Sequence, residues 1–80
     1  MQQQNKSMAT QIFTLTEGNE FITLDKLLKL LKIVGSGGEA HLVITEGMVT
    51  VNGEVETQKR KKLREGDVVE FNGEGIKIIS

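Results

Sequence analysis

Residues 36–56, which read SGGEAHLVITEGMVTVNGEVE, contain the clearest local signals of the fold. This stretch opens with a capping box, in which the Ser36 side chain can cap the backbone and Glu39, three residues on, can reach back. We therefore predict a helix from about Gly37 to Glu46 that ends before Gly47, because glycine is common just past a helix end.

The same stretch leaves one alternative open, since the run LVIT at 42–45 is rich in strand-forming residues. The capping box and the flanking glycines favour the helix. Its inward face is then formed by Ala40, Val43, Ile44 and Gly47, and its outer face by His41, Leu42 and Thr45. Beyond the helix, alternation predicts a strand over 48–51. The pair Asn52-Gly53 predicts a hairpin turn into a partner strand over 54–56, because both turn positions require positive φ.

Towards the N-terminus, leucines at helical spacing predict a first helix. Its N-cap candidate is Thr23 and its stop signal is Gly35. The apolar face comprises Leu24, Leu27, Leu28, Leu31 and Val34. A short strand over 11–16 and a turn over 17–20 precede this helix.

Towards the C-terminus, a basic segment follows the hairpin and leads to a turn over 64–67. Strands over 68–71 and 76–79 are then separated by a turn over 72–75. The predicted fold is α+β, a helix–loop–helix packed on a small, mainly antiparallel sheet, with a short N-terminal strand.

The chain of 80 residues is long enough for one small domain, which we place at 10–80, after a polar and disordered tail at 1–9. It has no cysteine and a single histidine, His41, so we predict no disulfide, no metal site and no cofactor. No catalytic constellation is present, and we predict a protein that is not an enzyme. Residues 1–7 lack the apolar region of a secretory signal and no apolar run is of bilayer length, so we predict a cytoplasmic protein without a membrane partner.

Half of the ten basic residues lie within 59–64, leaving five basic and eleven acidic residues elsewhere. A dense cationic segment is typical of a phosphate-backbone partner, because each neutralised phosphate releases condensed counterions. The chain as a whole is close to neutral, so this reasoning requires the fold to gather the cations on one face. The three phenylalanines are expected in the core, which favours recognition of RNA by phosphate and shape rather than by base stacking.

One ordered set of short motifs resembles the RNA-binding domain first described in small-subunit ribosomal protein S4. The set comprises Thr23-Leu24-Asp25-Lys26, Gly38-Glu39-Ala40, Ile44, Gly47, Val49, Val51-Asn52-Gly53-Glu54 and Gly66-Asp67-Val68-Val69. The resemblance covers about residues 22–71 and is strongest to free-standing bacterial members of the YbcJ type.

The resemblance implies the helix–loop–helix called the αL motif and a surface that binds structured RNA, such as rRNA or tRNA-like RNA. By position, Lys26 matches the family's basic residue in the first helix and Ser36 its polar helix-entry residue. The segment of Lys59, Arg60, Lys61, Lys62 and Arg64 matches the basic segment of the free-standing members. Where many members carry arginine, this chain has Thr23, Gly37, His41, Leu42 and Thr45, which shifts the expected RNA contact towards 59–64.

Three further residues enter the predicted site. The backbone N–H groups of Gly37 and Gly38, at a helix start, are candidates to hold a phosphate. His41 takes a position where the family often has arginine, so it is a candidate RNA contact.

Two other functions remain as alternatives. One is a protein–protein adaptor on a ribonucleoprotein such as the ribosome. The other, weaker alternative is a β-grasp carrier, which the chain end Ile78-Ile79-Ser80 disfavours because such carriers need a Gly-Gly tail.

Overall fold

The computed structural model describes residues 9–80, in which two short helices and seven strands enclose one apolar core. The helices are α1 (Leu24–Leu30) and α2 (Gly37–Thr45). The strands are β1 (Ala9–Thr14), β2 (Ile22–Thr23), β3 (Val49–Val51), β4 (Glu54–Val55), β5 (Lys62–Leu63), β6 (Val68–Phe71) and β7 (Glu74–Ile79). Neither helix is long and apolar enough to cross a membrane.

Five strands form the main sheet in the order β1-β7-β6-β3-β4, and β2 and β5 form a separate two-stranded ribbon. All neighbouring strands are antiparallel except β1 and β7, which run parallel with Ala9 opposite Glu74 and Thr14 opposite Ile79. The predicted α+β class and mainly antiparallel sheet are thereby confirmed. The predicted tail at 1–9 lies outside the described residues, apart from Ala9, which begins β1.

The core lies between the helices and one face of the sheet. Alternation along β7 shows this arrangement, because Ile76 and Ile78 are buried while Lys77 between them is exposed. The largest side chains that are fully buried are Leu24, Leu27, Leu28, Ile44, Leu63, Ile76 and Ile78. One of them, Leu63, belongs to the basic segment, which is therefore not simply a solvated loop.

Helix α2 matches its prediction closely. Ser36 Oγ accepts a hydrogen bond from Glu39 N at 3.2 Å, as in a capping box. Glu39 Oε1 accepts from Gly35 N at 2.8 Å, one residue before the expected partner. The chain leaves the helix through Gly47, whose φ of +78° suits glycine. The alternative of a strand at 42–45 is wrong.

Helix α1 ends earlier than predicted, at Leu30 rather than next to Gly35. The chain turns at Lys32, a residue with the left-handed φ of +58°. The amides of Ile33 and Val34 both donate to Leu28 O, at 3.0 and 3.4 Å, and so satisfy a carbonyl at the helix end. Val34 remains buried, but as part of the loop between the helices rather than on a helical face.

Both Asn-Gly pairs form tight hairpin turns. Asn52 and Gly53 have φ of +54° and +86°, and Asn72 and Gly73 have φ of +53° and +82°, as a type I′ turn requires. The second turn is shorter than predicted, because β7 already begins at Glu74.

Candidate nucleic-acid interface

The ribbon of β2 and β5, which the sequence prediction missed, attaches the basic segment to the rest of the domain. Ile22 lies opposite Leu63 and Thr23 opposite Lys62. Ile22 and Leu63 are both buried. Since side chains alternate along a strand, Lys62 and Arg64 then lie on the outer face of the ribbon, where both are exposed.

The main chain of the basic segment also caps α1. Leu24 N donates to Lys61 O at 2.9 Å, and Asp25 N donates to Lys59 O at 3.0 Å. The first amides of a helix have no partner within the helix, so these two carbonyls satisfy groups that would otherwise need water or a side chain. Thr23 holds the predicted N-cap position, but its side chain makes no capping hydrogen bond. The predicted role of its hydroxyl as the cap is therefore wrong, because main-chain carbonyls have taken it.

Asp25 joins the two helices to the basic segment. His41 Nε2, on α2, lies 3.0 Å from Asp25 Oδ2, and Arg60 Nε lies 3.8 Å from the same oxygen. The other oxygen, Oδ1, accepts from Lys26 N at 2.8 Å. This carboxylate therefore holds side chains from α2 and from the basic segment beside the start of α1.

The electrostatic setting favours the ionised form of Asp25. Partial burial by itself raises its pKa, but hydrogen bonds from Thr23, His41 and the Lys26 amide, with the positive charge of His41, lower it more. The net pKa lies below the ordinary value of an aspartate. The carboxylate is thus a stable negative centre within a cationic region.

The cations predicted to meet RNA are thereby brought to the start of α1. We call the group of Lys26, His41, Lys59, Arg60, Lys61, Lys62 and Arg64 the basic surface. Within residues 9–80, Arg60 is the one lysine or arginine that lies within 4 Å of a carboxylate, and its side chain remains 81% exposed. Lys61 is half-buried and lines a separate hollow with Glu54, Glu56 and Asp67, whereas the other lysines and arginines of the group are exposed. Apart from Lys61, the positive charge of these lysines and arginines is therefore available to a polyanion.

The predicted site residues at the start of α2, Ser36, Gly37 and Gly38, are less directly connected to the basic surface than the start of α1 is. The Ser36 hydroxyl is occupied by the Glu39 amide, and within the described chain no hydrogen bond or ion pair joins Ser36, Gly37 or Gly38 to the basic segment. A Cβ on Gly37 would meet no atom within 4 Å, so packing does not require glycine there. The residue of α2 that contacts the basic surface is His41, through Asp25. It lies four residues after Gly37, or about 6 Å along the helix axis at 1.5 Å per residue.

Two residues of the region were missed by sequence reasoning, Phe21 and Asp25. Phe13 and Phe71 pack against the core as predicted, but Phe21 is 39% exposed. Lys62 Nζ lies 4.9 Å and Arg64 Cζ 5.7 Å from the centroid of its ring, within the range of cation–π contacts. The one sequence signal for this contact was alternation in Phe21-Ile22-Thr23 and in Lys62-Leu63-Arg64. In each triplet the middle residue is buried and its two neighbours lie on the outer face of the ribbon.

The residues described here contain no group of three or more His, Cys, Asp or Glu side chains that could hold a metal ion. The chemistry that the basic surface offers is the binding of anions by charge and hydrogen bonds.

Comparison with known proteins gives a consistent result. The model of the S4 domain family matches residues 13–79. The putative RNA-binding protein YbcJ of Escherichia coli K12 is 41% identical over 58 residues, which cover 69% of this chain and 83% of YbcJ. The probable ribosome maturation protein RlbA of Bacillus subtilis 168 is 45% identical over 56 residues, which cover 70% of this chain and 79% of RlbA.

Solved structures show the same architecture. The solution structure of E. coli YbcJ, described as revealing an αL motif involved in RNA binding, has a TM-score of 0.66 at 38% identity and covers 96% of this chain and 94% of YbcJ. The crystal structure of 30S ribosomal protein S4e from Thermoplasma acidophilum has a TM-score of 0.55 at 28% identity, covering 71% of this chain and 30% of that protein. The predicted family resemblance and fold are both confirmed.

Proposed function

The chain belongs to the S4 domain family, and we propose that it binds structured RNA through phosphate and shape contacts made by the basic surface. The observation that carries this proposal is the docking of the basic segment onto the start of α1. Two main-chain hydrogen bonds and the buried Leu63 hold the segment, so its cations project from a fixed scaffold. Fixed cations bind phosphates with a smaller loss of conformational entropy than cations on a mobile loop.

The charge distribution supports a polyanion as the partner. The whole chain has a net charge of −1, yet the segment at 59–64 contains five cations and no acidic residue. A local field of this kind steers a phosphate backbone to one face of an otherwise neutral molecule. Binding would then depend strongly on salt, because each phosphate contact releases counterions.

Folded RNA fits this surface better than an extended single strand. Proteins that bind single strands without sequence preference line their grooves with several stacking aromatics, and Phe13 and Phe71 are committed to the core here. Double-helical RNA is instead recognised through phosphates, 2′-hydroxyl groups and shape. We therefore propose a single RNA-binding module over residues 10–80 that carries out no reaction.

The relatives suggest which RNA is bound. One is named as a probable ribosome maturation protein, and another structural match is a ribosomal protein. We propose ribosomal RNA as the partner, with tRNA-like RNA as the alternative substrate and ribosomal proteins as further contacts. Such a role would place the protein in the cytoplasm.

The test is the salt dependence of binding to a fluorescently labelled rRNA hairpin, measured by anisotropy. If three to five phosphates are contacted, the slope of log K against log salt should be roughly −2 to −4.5. A variant in which Lys59, Arg60, Lys61 and Lys62 are changed to glutamine should lose most of the affinity. It should remain folded, because the segment is anchored by main-chain carbonyls and Leu63.

Lys77→Gln is the matched control. Lys77 is exposed on the sheet face opposite the core, so its loss removes a charge but no contact of the basic surface. A flat salt dependence, or equal affinity of the fourfold variant and the wild type, would contradict the proposed function. Co-purification with ribosomal protein that survives nuclease would favour the adaptor alternative.

A further inference from the structure

A groove of about 810 Å³ lies beside the basic surface, between the loop that follows β1 and the start of α1. This volume is within the range of roughly 300–1,000 Å³ that is typical of small-molecule sites. The groove combines apolar side chains with two cations: Phe13, Leu15, Phe21, Leu30, Lys26 and Arg60. The Asp25 carboxylate also lines it, but its Oδ2 is already paired with His41 and Arg60. Its lining therefore suits a ligand with one flat apolar part and one anionic part.

Phe21 is the central feature of this groove. Its ring is not part of the core, and 39% of the residue is exposed. It precedes β2, so its position in the ribbon is fixed by the pairing of Ile22 with Leu63. Lys62 and Arg64 lie over this ring, so a nucleobase would stack on the part of the ring that they leave exposed, with their charges close by.

The remaining groups complete a site for a nucleotide. Lys26 and Arg60 belong both to the groove and to the basic surface, so a phosphate bound by them would lie next to the ring. Thr16, Asn19 and Thr23 contribute hydrogen-bonding groups, and the Asn19 side chain is held by the Thr16 hydroxyl. The exposed carboxylate of Glu20, which also lines the groove, can accept a hydrogen bond from a base amino group.

From this arrangement we propose that the groove binds one unpaired nucleotide of the RNA, with the base stacked on Phe21 and its phosphate held by Lys26 and Arg60. The proposal rests on the proposed function and adds to it a preference for RNA with a bulged or extruded residue. The cations beside the ring favour a nucleotide over an apolar peptide, since a peptide would leave their charges unpaired.

The experiment uses the full chain and three RNA hairpins that share one stem. The first stem is fully paired, the second contains a single bulged adenosine, and the third carries an abasic nucleotide at the bulge. We expect the bulged adenosine to be bound about five- to 150-fold more tightly than the abasic bulge, which is the contribution of one stacked base.

Two variants and a control locate the effect. Phe21→Leu keeps an apolar side chain and Phe21→Ala removes it, and both should lose the preference for the adenosine bulge over the abasic bulge. Leu42→Ala, a loss of an exposed apolar side chain on α2, should keep the preference. Thermal melts confirm that each variant is folded.

NMR supplies a direct readout. The chain contains three phenylalanines, one histidine and no tryptophan or tyrosine, so its aromatic spectrum is easily assigned. Ring-current shifts should appear at the Phe21 protons with the adenosine bulge and be absent with the abasic bulge.

The outcomes separate the two proposals. Salt-dependent binding with equal affinity for the adenosine and abasic bulges would overturn the nucleotide site and leave the proposed function intact. Absence of salt-dependent binding to all three hairpins would overturn both.

Discussion

Substitution of Leu63 by alanine tests whether the basic segment is truly part of the fold. Leu63 is fully buried in β5, opposite Ile22, and joins the same core as α1. Replacing a buried leucine with alanine destabilises a protein by about 2–5 kcal/mol, through lost burial and the cavity that remains. A domain of this size is stable by about 4–12 kcal/mol. The variant should therefore fold at low temperature, with a melting temperature lowered by roughly 8–40 °C.

Urea denaturation followed by far-UV circular dichroism measures the change in the free energy of unfolding. Hydrogen exchange then shows where the change lies. The amides of Leu24 and Asp25, which donate to the carbonyls of Lys61 and Lys59, should lose protection more than amides of β6. Val55→Ala is the control, because Val55 is 61% exposed and its truncation should change stability by at most about 0.5 kcal/mol. A loss below 1 kcal/mol for Leu63→Ala would show that the segment is a solvated loop, and the reasoning would be wrong.

Three further predictions concern the caps and turns that shape the domain. Ser36→Ala should reduce the free energy of unfolding by about 0.5–2 kcal/mol in urea titrations, because its hydroxyl caps α2. The pKa of Asp25 is lower in the folded than in the unfolded state, where it is about 3.9. Its contribution to the free energy of unfolding is therefore fully present above the unfolded pKa and is lost as the pH falls through the folded pKa. Denaturation at pH 2.5–6 should therefore show a steeper acid loss for wild type than for Asp25→Asn; parallel curves would contradict this. Asn52→Ala should destabilise the domain more than Asn72→Ala does, by about 1 kcal/mol or more. Both residues have positive φ, but the Asn52 side chain also accepts a hydrogen bond from the Val68 amide at 2.9 Å. Equal losses in melting temperature for the two variants would refute this role.

Local signals predicted the parts of the fold that local physics determines. The Ser36 cap, the glycine past α2 and the Asn52-Gly53 hairpin turn each require particular residues at particular backbone angles, and all three were found as predicted. The turn predicted over 72–75 is also present, but it is shorter because β7 begins at Glu74. The predicted end of α1 was wrong, because Lys32 and not a glycine takes the left-handed conformation there. That choice is enforced by packing of the loop against the core and leaves no mark in the local sequence.

The geometry of the candidate site was less predictable than its composition. The cationic residues of 59–64 could be named from the sequence, but their docking depends on a ribbon in which each strand has only two residues. Pairs of that length arise from tertiary contacts, and an alternation of three residues on each side is too short to predict a strand. The exposed position of Phe21 and the linking role of Asp25 follow from that ribbon and were missed for this reason. The parallel pairing of β1 with β7 joins distant segments and was hidden for the same reason.

The anchoring of the basic segment through backbone carbonyls and one leucine has a consequence for evolution and redesign. Every residue supplies a main-chain carbonyl, so the side chains at positions 59, 60, 61, 62 and 64 can diverge while the two anchoring hydrogen bonds and Leu63 are retained. Under the proposed function, substitutions at these five positions would change the affinity for RNA while the scaffold that presents them stays the same.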